Sequence, residues 1–128
     1  MTDPKSTDHN LQQTKHENLF EAVHLEPAPG MRVRPFSGSE ASTVLSITLE
    51  AGATAPGHQH PHEQYTLVIS GHYHYTVGET TTLLKKGDIV YIPSNVWHHG
   101  LAETPVEVVE FFTPSRVDLL EKIAALEA

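Results

Sequence analysis

The chain has no cysteine among its 128 residues. That excludes disulfides, zinc fingers and thiolate catalysis, and it fits a reducing cytoplasm, the compartment expected here. No apolar run approaches the roughly 20 residues that a membrane span needs. The opening stretch MTDPKSTDHNLQQTKHEN also lacks the hydrophobic core of a secretory signal. Basic residues are scarce: eight Lys and Arg face sixteen Asp and Glu, for a formal charge of -8. Such a field opposes nucleic acid and anionic lipid, so neither is an expected partner. An anionic small molecule would need a local Arg or a metal charge to draw it in.

What is abundant is punctuation and histidine. Nine prolines and eight glycines suit many turns between short strands, and 38% hydrophobic content over this length supports one core and one domain. Residues 1–18 are polar and nearly free of β-branched or aromatic side chains, which predicts a mobile arm ahead of a single domain over 19–128. A short helical turn is expected near Leu19 to Val23. After Pro27-Ala28-Pro29-Gly30, β-branched and alternating runs predict strands at 43–49, 64–70, 72–77, 80–84, 89–92 and 106–112. Gly71, Gly78-Glu79, Lys86-Gly87-Asp88, Pro93-Ser94-Asn95 and Glu103-Thr104-Pro105 break them. Ser115 reads as an N-cap for a helix over 116–127, with Leu119, Leu120, Ile123 and Leu126 at helical spacing. Short antiparallel strands closed by one terminal helix predict an all-β sandwich or barrel.

Ten histidines make a lone His-x-His weak: about one such pair is expected by chance. Three occur, at His58/His60, His60/His62 and His72/His74. Only His58 and His60 have Gln64 four residues beyond, at the same parity. On a strand, side chains two apart share a face, so such a set can present several donors to one ion. His62 and His99 adjoin these residues, but neighbours along a strand face opposite ways. His72 and His74 are expected to face outward, with Tyr73, Tyr75 and Val77 on the other face.

The stretch Gly52-ATAPG-His58-Gln59-His60-PHE-Gln64-YTLVIS-Gly71 resembles the first cupin motif, G-x5-H-x-H-x3-E-x6-G, with Gln in the Glu position. Gly87-DIVYI-Pro93-Ser94-Asn95-VW-His98 resembles the second, G-x5-P-x-G-x2-H, with Asn95 replacing its Gly. Asn tolerates the left-handed backbone that this Gly position favours. The resemblance implies a cupin-type antiparallel β-barrel (a double-stranded β-helix, or jelly roll) with a short C-terminal helix. It also implies one divalent metal ion per chain on His58, His60, Gln64 and His98. Nitrogen-rich ligation suits Zn, Ni, Fe, Co or Cu without choosing among them, and Mn stands as a further candidate ion. The neutral Gln leaves the full dipositive charge on the ion, which favours Lewis-acid work over the stabilisation of a trivalent state.

A narrower resemblance joins HQHPHEQY, IPSNVWH and the tail Glu110-Phe111-Phe112-Thr113-Pro114-Ser115-Arg116 to the small cupins of pectin and alginate breakdown. Those proteins convert 4,5-unsaturated uronates from the cyclic to the linear keto form. Their tail carries Asp where this chain has Glu110. The likeness extends to the strand Arg32-Val33-Arg34. It implies Glu110 and Arg116 as catalytic residues, with Arg34, Tyr65 and Phe112 contacting substrate. From the residues alone, Glu110 serves equally as a rim carboxylate paired with Arg34, and Arg116 as a partner for Asp118. Tyr65, Trp97 and Phe112 suit barrel packing. The expected activity is that of a metal-dependent lyase or isomerase on a small oxygenated, uronate-like molecule. The alternatives are a cupin dioxygenase and a non-catalytic sensor of metal or ligand. Outward His72, His74 and Phe111, with exposed strand edges, predict a homodimer with residues near 20–36 crossing to the partner.

Overall fold

In the computed structural model, which describes residues 14–127, ten strands and one helix follow in chain order. The strands are β1 (Leu25–Ala28), β2 (Met31–Ser39), β3 (Ser42–Leu49), β4 (Thr54–His58), β5 (Glu63–Ser70), β6 (Tyr73–Val77), β7 (Thr80–Leu84), β8 (Ile89–Ile92), β9 (His98–Ala102) and β10 (Val106–Thr113). The helix α1 is Val117–Glu127. Two antiparallel sheets form the barrel: a six-stranded one, β1-β2-β3-β10-β5-β8, and a four-stranded one, β4-β9-β6-β7. The arm expected over 1–18 lies mostly outside the described residues. The helical turn near Leu19 is present as one turn, with the amide of Ala22 donating to the carbonyl of Asn18 at 3.1 Å.

Alternation explains the barrel. Along β10, Val106, Val108, Glu110 and Phe112 are buried, while Glu107, Phe111 and Thr113 are exposed. Met31 and Val33 of β2, Leu45, Ile47 and Leu49 of β3, and Val68 of β5 meet Tyr73, Tyr75, Leu84 and Ala102 of the second sheet in one core. Each large apolar side chain withdrawn there contributes about 1.5–3 kcal/mol before the entropy of ordering it is charged. Ser46 breaks the alternation: it points outward and is still fully buried, because the N-terminal turn lies over it. Its hydroxyl donates to the carbonyl of Leu19 at 2.6 Å.

The turn residues act as their chemistry requires. Asn95 adopts φ 63 in the position where the motif has Gly. At Gly71, φ is 93 and an added Cβ would lie 2.1 Å from the Pro105 carbonyl oxygen, so no side chain fits.

The helix start is corrected. Ser115 is not its N-cap. Its hydroxyl is buried against those of Thr43 and Ser37, both at 3.0 Å, and the amides of Leu119 and Leu120 donate to the carbonyl of Arg116. No residue of α1 is fully buried, although Leu119 packs against the barrel core. Of residues 20–36, expected to cross to a partner, 25–28 and 31–36 pair within their own chain in β1 and β2. No helix among the described residues is long and apolar enough to cross a membrane.

Candidate metal and active site

His58 ends β4 and His98 begins β9, and the two face each other in register. A bulge makes this possible. Ala55 pairs with Gly100, yet the next aligned pair is His58 with His98, so β4 spends three residues where β9 spends two. The extra residue turns His58 to the side that Ala55 faces; regular alternation would have sent it the other way. His60 follows in the loop, and its ring centroid lies 5.2 Å from that of His58 and 4.9 Å from that of His98. One donor nitrogen of each of the three histidines lies within 4.8 Å of the others.

The hydrogen bonds aim these rings. Backbone carbonyls can only accept, so Nδ1 of His60 carries a proton to the carbonyl of His62 at 3.1 Å, and Nδ1 of His98 carries one to that of Val96 at 2.8 Å. Each Nε2 then bears a bare lone pair in the neutral ring. Burial lowers the pKa of all three: His58 falls to about 4, helped by the charges of His98 and His60, while His60 and His98 also shift down from the ordinary value. Neutral imidazole is the state that binds a metal. Nε2 of His98 is buried with no hydrogen-bond partner among the described residues. Nε2 of His60 faces Oε1 of Gln64 at 2.9 Å, while the Gln64 amide nitrogen donates to Thr66 Oγ1 at 2.9 Å and Tyr75 OH at 3.3 Å. Acceptor therefore faces acceptor, beside an orphaned lone pair. A cation satisfies all of these at once, so the donor set fits a divalent metal.

The same cavity, of about 370 Å3, is lined by His58, Gln64, His98, Glu110, Phe112 and Arg116. Glu110 is 5% exposed. Burial raises its pKa to about 7 against the opposing pull of the Thr66 hydroxyl, which donates to Oε2 at 3.0 Å, and of Arg116. The Arg116 guanidinium stacks 4.8 Å over the Phe112 ring and grips the Asp118 carboxylate through Nε at 3.1 Å and Nη2 at 2.9 Å. The hydrogen bond from Arg116 holds Asp118 at a pKa of about 2.

Two expected substrate contacts are corrected. Tyr65 neighbours inward Gln64 on β5, so its side chain stands on the outer face, 47% exposed and against Tyr91. Arg34 alternates with buried Val33 and Pro35, so it too faces outward. It donates to the carbonyl of Ala22 at 3.0 Å, clamping the N-terminal turn, and does not pair with Glu110. His62 is half-buried beside Phe112, with ring centroids 6.4 Å apart, and supplies the carbonyl that orients His60. His99 is exposed at the cavity lining. His72 and His74 face outward as expected, with His74 donating to Glu103 at 2.7 Å.

Thr66, Tyr73 and Tyr75 also belong to the site and were not expected there. Tyr73 is fully buried, lines the cavity, and its hydroxyl has no hydrogen-bond partner among the described residues. Gly100 makes room for it: a Cβ there would lie 2.4 Å from the Tyr73 hydroxyl. The parity of β6, with Tyr73 and Tyr75 inward, was the available signal.

The description "Cupin domain" belongs to a family model that matches residues 45–112, more than half of the chain. The chain belongs to the cupin domain family. An uncharacterized protein of Streptomyces coelicolor is 35% identical to this cupin over 68 residues, which span 52% of this chain and 64% of that protein. Among solved structures, an RmlC-like cupin from Shewanella frigidimarina superposes with a TM-score of 0.75 at 23% identity, covering 82% of this chain and 96% of the other. KdgF from a Halomonas species gives a TM-score of 0.75 at 22% identity, with 82% and 97% covered. These likenesses establish the fold of this cupin.

Proposed function

We propose that this cupin is a metal-dependent lyase or isomerase acting on a small, anionic, uronate-like substrate. One observation carries the reading: a buried carboxyl with its pKa raised to about 7 lines one cavity with His58 and His98, whose donor nitrogens lie within 4.8 Å of each other and of that of His60. His58, His60, His98 and Oε1 of Gln64 would hold one divalent ion. When bound, that ion supplies Lewis acidity, polarising a substrate carbonyl or hydroxyl. Glu110 is poised to take or return a proton near neutral pH, where a general acid or base works best. Arg116 spends Nε and one Nη2 proton on Asp118, and its other donors are available to a substrate carboxylate. Phe112 lies beneath the guanidinium and walls the cavity.

The uronate part of the reading is supported by the resemblance of the Glu110 to Arg116 segment to the uronate-linearising cupins, and by a cavity of monosaccharide scale. The proposed setting is a cytoplasmic homodimer joined through the outer face of the six-stranded sheet. The test is metal analysis of untagged protein followed by incubation with 4,5-unsaturated uronates. About one divalent ion per chain and loss of the cyclic sugar signal are expected. A fully loaded protein that leaves these sugars unchanged would refute the substrate.

A further inference from the structure

We propose that Thr66 is a positioning residue that locks the Gln64 amide with its oxygen toward the three histidines. The inference rests on the metal-binding reading above and concerns how this chain makes a neutral amide into a ligand. An amide side chain has two ends of nearly equal shape. One end, the oxygen, coordinates a metal; the other, the NH2, cannot. Nothing in Gln64 itself chooses between them, so its neighbours must.

Thr66 stands two residues along β5 from Gln64, so both side chains enter the barrel, and both are fully buried. A hydroxyl has a single proton to give. That of Thr66 goes to Oε2 of Glu110 at 3.0 Å, so the atom Gln64 sets against Thr66 Oγ1 at 2.9 Å must be a donor. Tyr75 OH, at 3.3 Å, accepts the other amide proton. With both N–H groups engaged inside the barrel, Oε1 is left facing Nε2 of His60 at 2.9 Å. The reversed amide would put NH2 among the imidazole lone pairs and strand two acceptors, Oε1 and Thr66 Oγ1, against each other. Glu110 thereby acts a second time. While Oε2 accepts, Glu110 commits the only Thr66 proton and so sets the direction of the bonds up to Gln64. A carboxylate at position 64 would need no such arrangement, since either oxygen coordinates.

The test titrates metal-free protein with Zn(II) by calorimetry, comparing wild type with Thr66→Val and Thr66→Ser, and checks folding of each by thermal melting. Thr66→Val keeps the shape and removes the hydroxyl; it should weaken zinc binding about ten- to a hundredfold, the range for losing a group that orients a ligand. Thr66→Ser keeps the hydroxyl and should stay within about threefold of wild type. A folded Thr66→Val variant with wild-type affinity overturns the proposal, because Thr66 then only fills space. If the Val variant fails to fold, Thr66→Ser decides: a tenfold loss there overturns the proposal and retained affinity supports it. Wild-type protein that takes up no zinc, nor any other first-row divalent ion, sinks the metal reading itself and is distinguishable from either result.

Discussion

At position 110, burial and charge pull against each other, and the balance has a measurable sign. The ordinary carboxyl pKa of 4.5 rises to about 7 in the folded chain. Between those values the native state holds a proton that the unfolded state has released, so this group makes stability fall as pH rises from about 4.5 to 7. The span of about 2.5 units corresponds to roughly 3 kcal/mol at most. The three histidines, with lowered pKa values, act with the opposite sign. The comparison must therefore be Glu110→Gln against wild type, both metal-free. We expect the variant to gain relative stability across pH 5 to 7 in denaturant melts; a pH-independent difference would show that Glu110 titrates normally. In protein saturated with metal and supplied with substrate, Glu110→Gln should lower kcat about a hundredfold or more, the scale of losing a general acid or base. Arg116→Ala should act mainly by raising KM. Wild-type kinetics in both would reduce the pair to structural charges. Tyr73→Phe should leave the metal-free melting temperature unchanged or higher, because it removes a buried hydroxyl without a partner. A clear fall would reveal a structural bond to that hydroxyl.

Among the elements, β4 decides whether the histidines meet. His58→Ala with His60→Ala should abolish metal uptake while the barrel stays folded, since neither ring belongs to the apolar core. Equal metal content in wild type and double variant, by elemental analysis, would remove the site. Strands such as β3, β5 and β10 were legible from sequence nearly to the residue, as were the inward settings of Gln64, Glu110 and Phe112. The family motif supplied the histidine set. The reason His58 faces inward was not legible: it depends on the bulge between Ala55 and His58, and an extra residue in a ladder leaves no mark on a parity count. Arg34 and Tyr65 entered the expected site through resemblance alone, although strand parity already turned both outward. The tail needed tertiary contacts: Ser115 looks like a cap until Thr43 and Ser37 claim its hydroxyl. Thr66 and Tyr73 were hidden for another reason, since a buried Thr or Tyr on an inward strand face reads as packing until its hydrogen bonds are counted.

At the scale of the whole molecule, the outer face of the six-stranded sheet exposes a run of apolar side chains. Across five strands, Phe36, Val44, Phe111, Tyr65 and Tyr91 fall in one register row. Val109, Leu67 and Ile89 form the next row across β10, β5 and β8. Phe111, Tyr65, Tyr91 and Ile89 are 41 to 58% exposed. Contiguous apolar surface of this kind marks an interaction site more often than scattered exposed residues do. Its outer border, β8, is one of the two edge strands of the sheet among the described residues. A second copy of the chain is the proposed cover, and its energetics must overcome a formal charge of -8 on each protomer. Salt separates the two contributions. Added salt screens the repulsion over about 8–10 Å and leaves apolar burial intact, so dimerisation should strengthen from low to physiological ionic strength. An interface made of ion pairs would weaken instead. Sedimentation at micromolar protein should show a dimer, and Phe111→Glu should shift it toward monomer, because the new carboxylate would be buried without a partner. Metal content should not change, as Phe111 points away from the cavity. A wild-type chain that sediments only as monomer at both ionic strengths would mean that this face has a different partner or none.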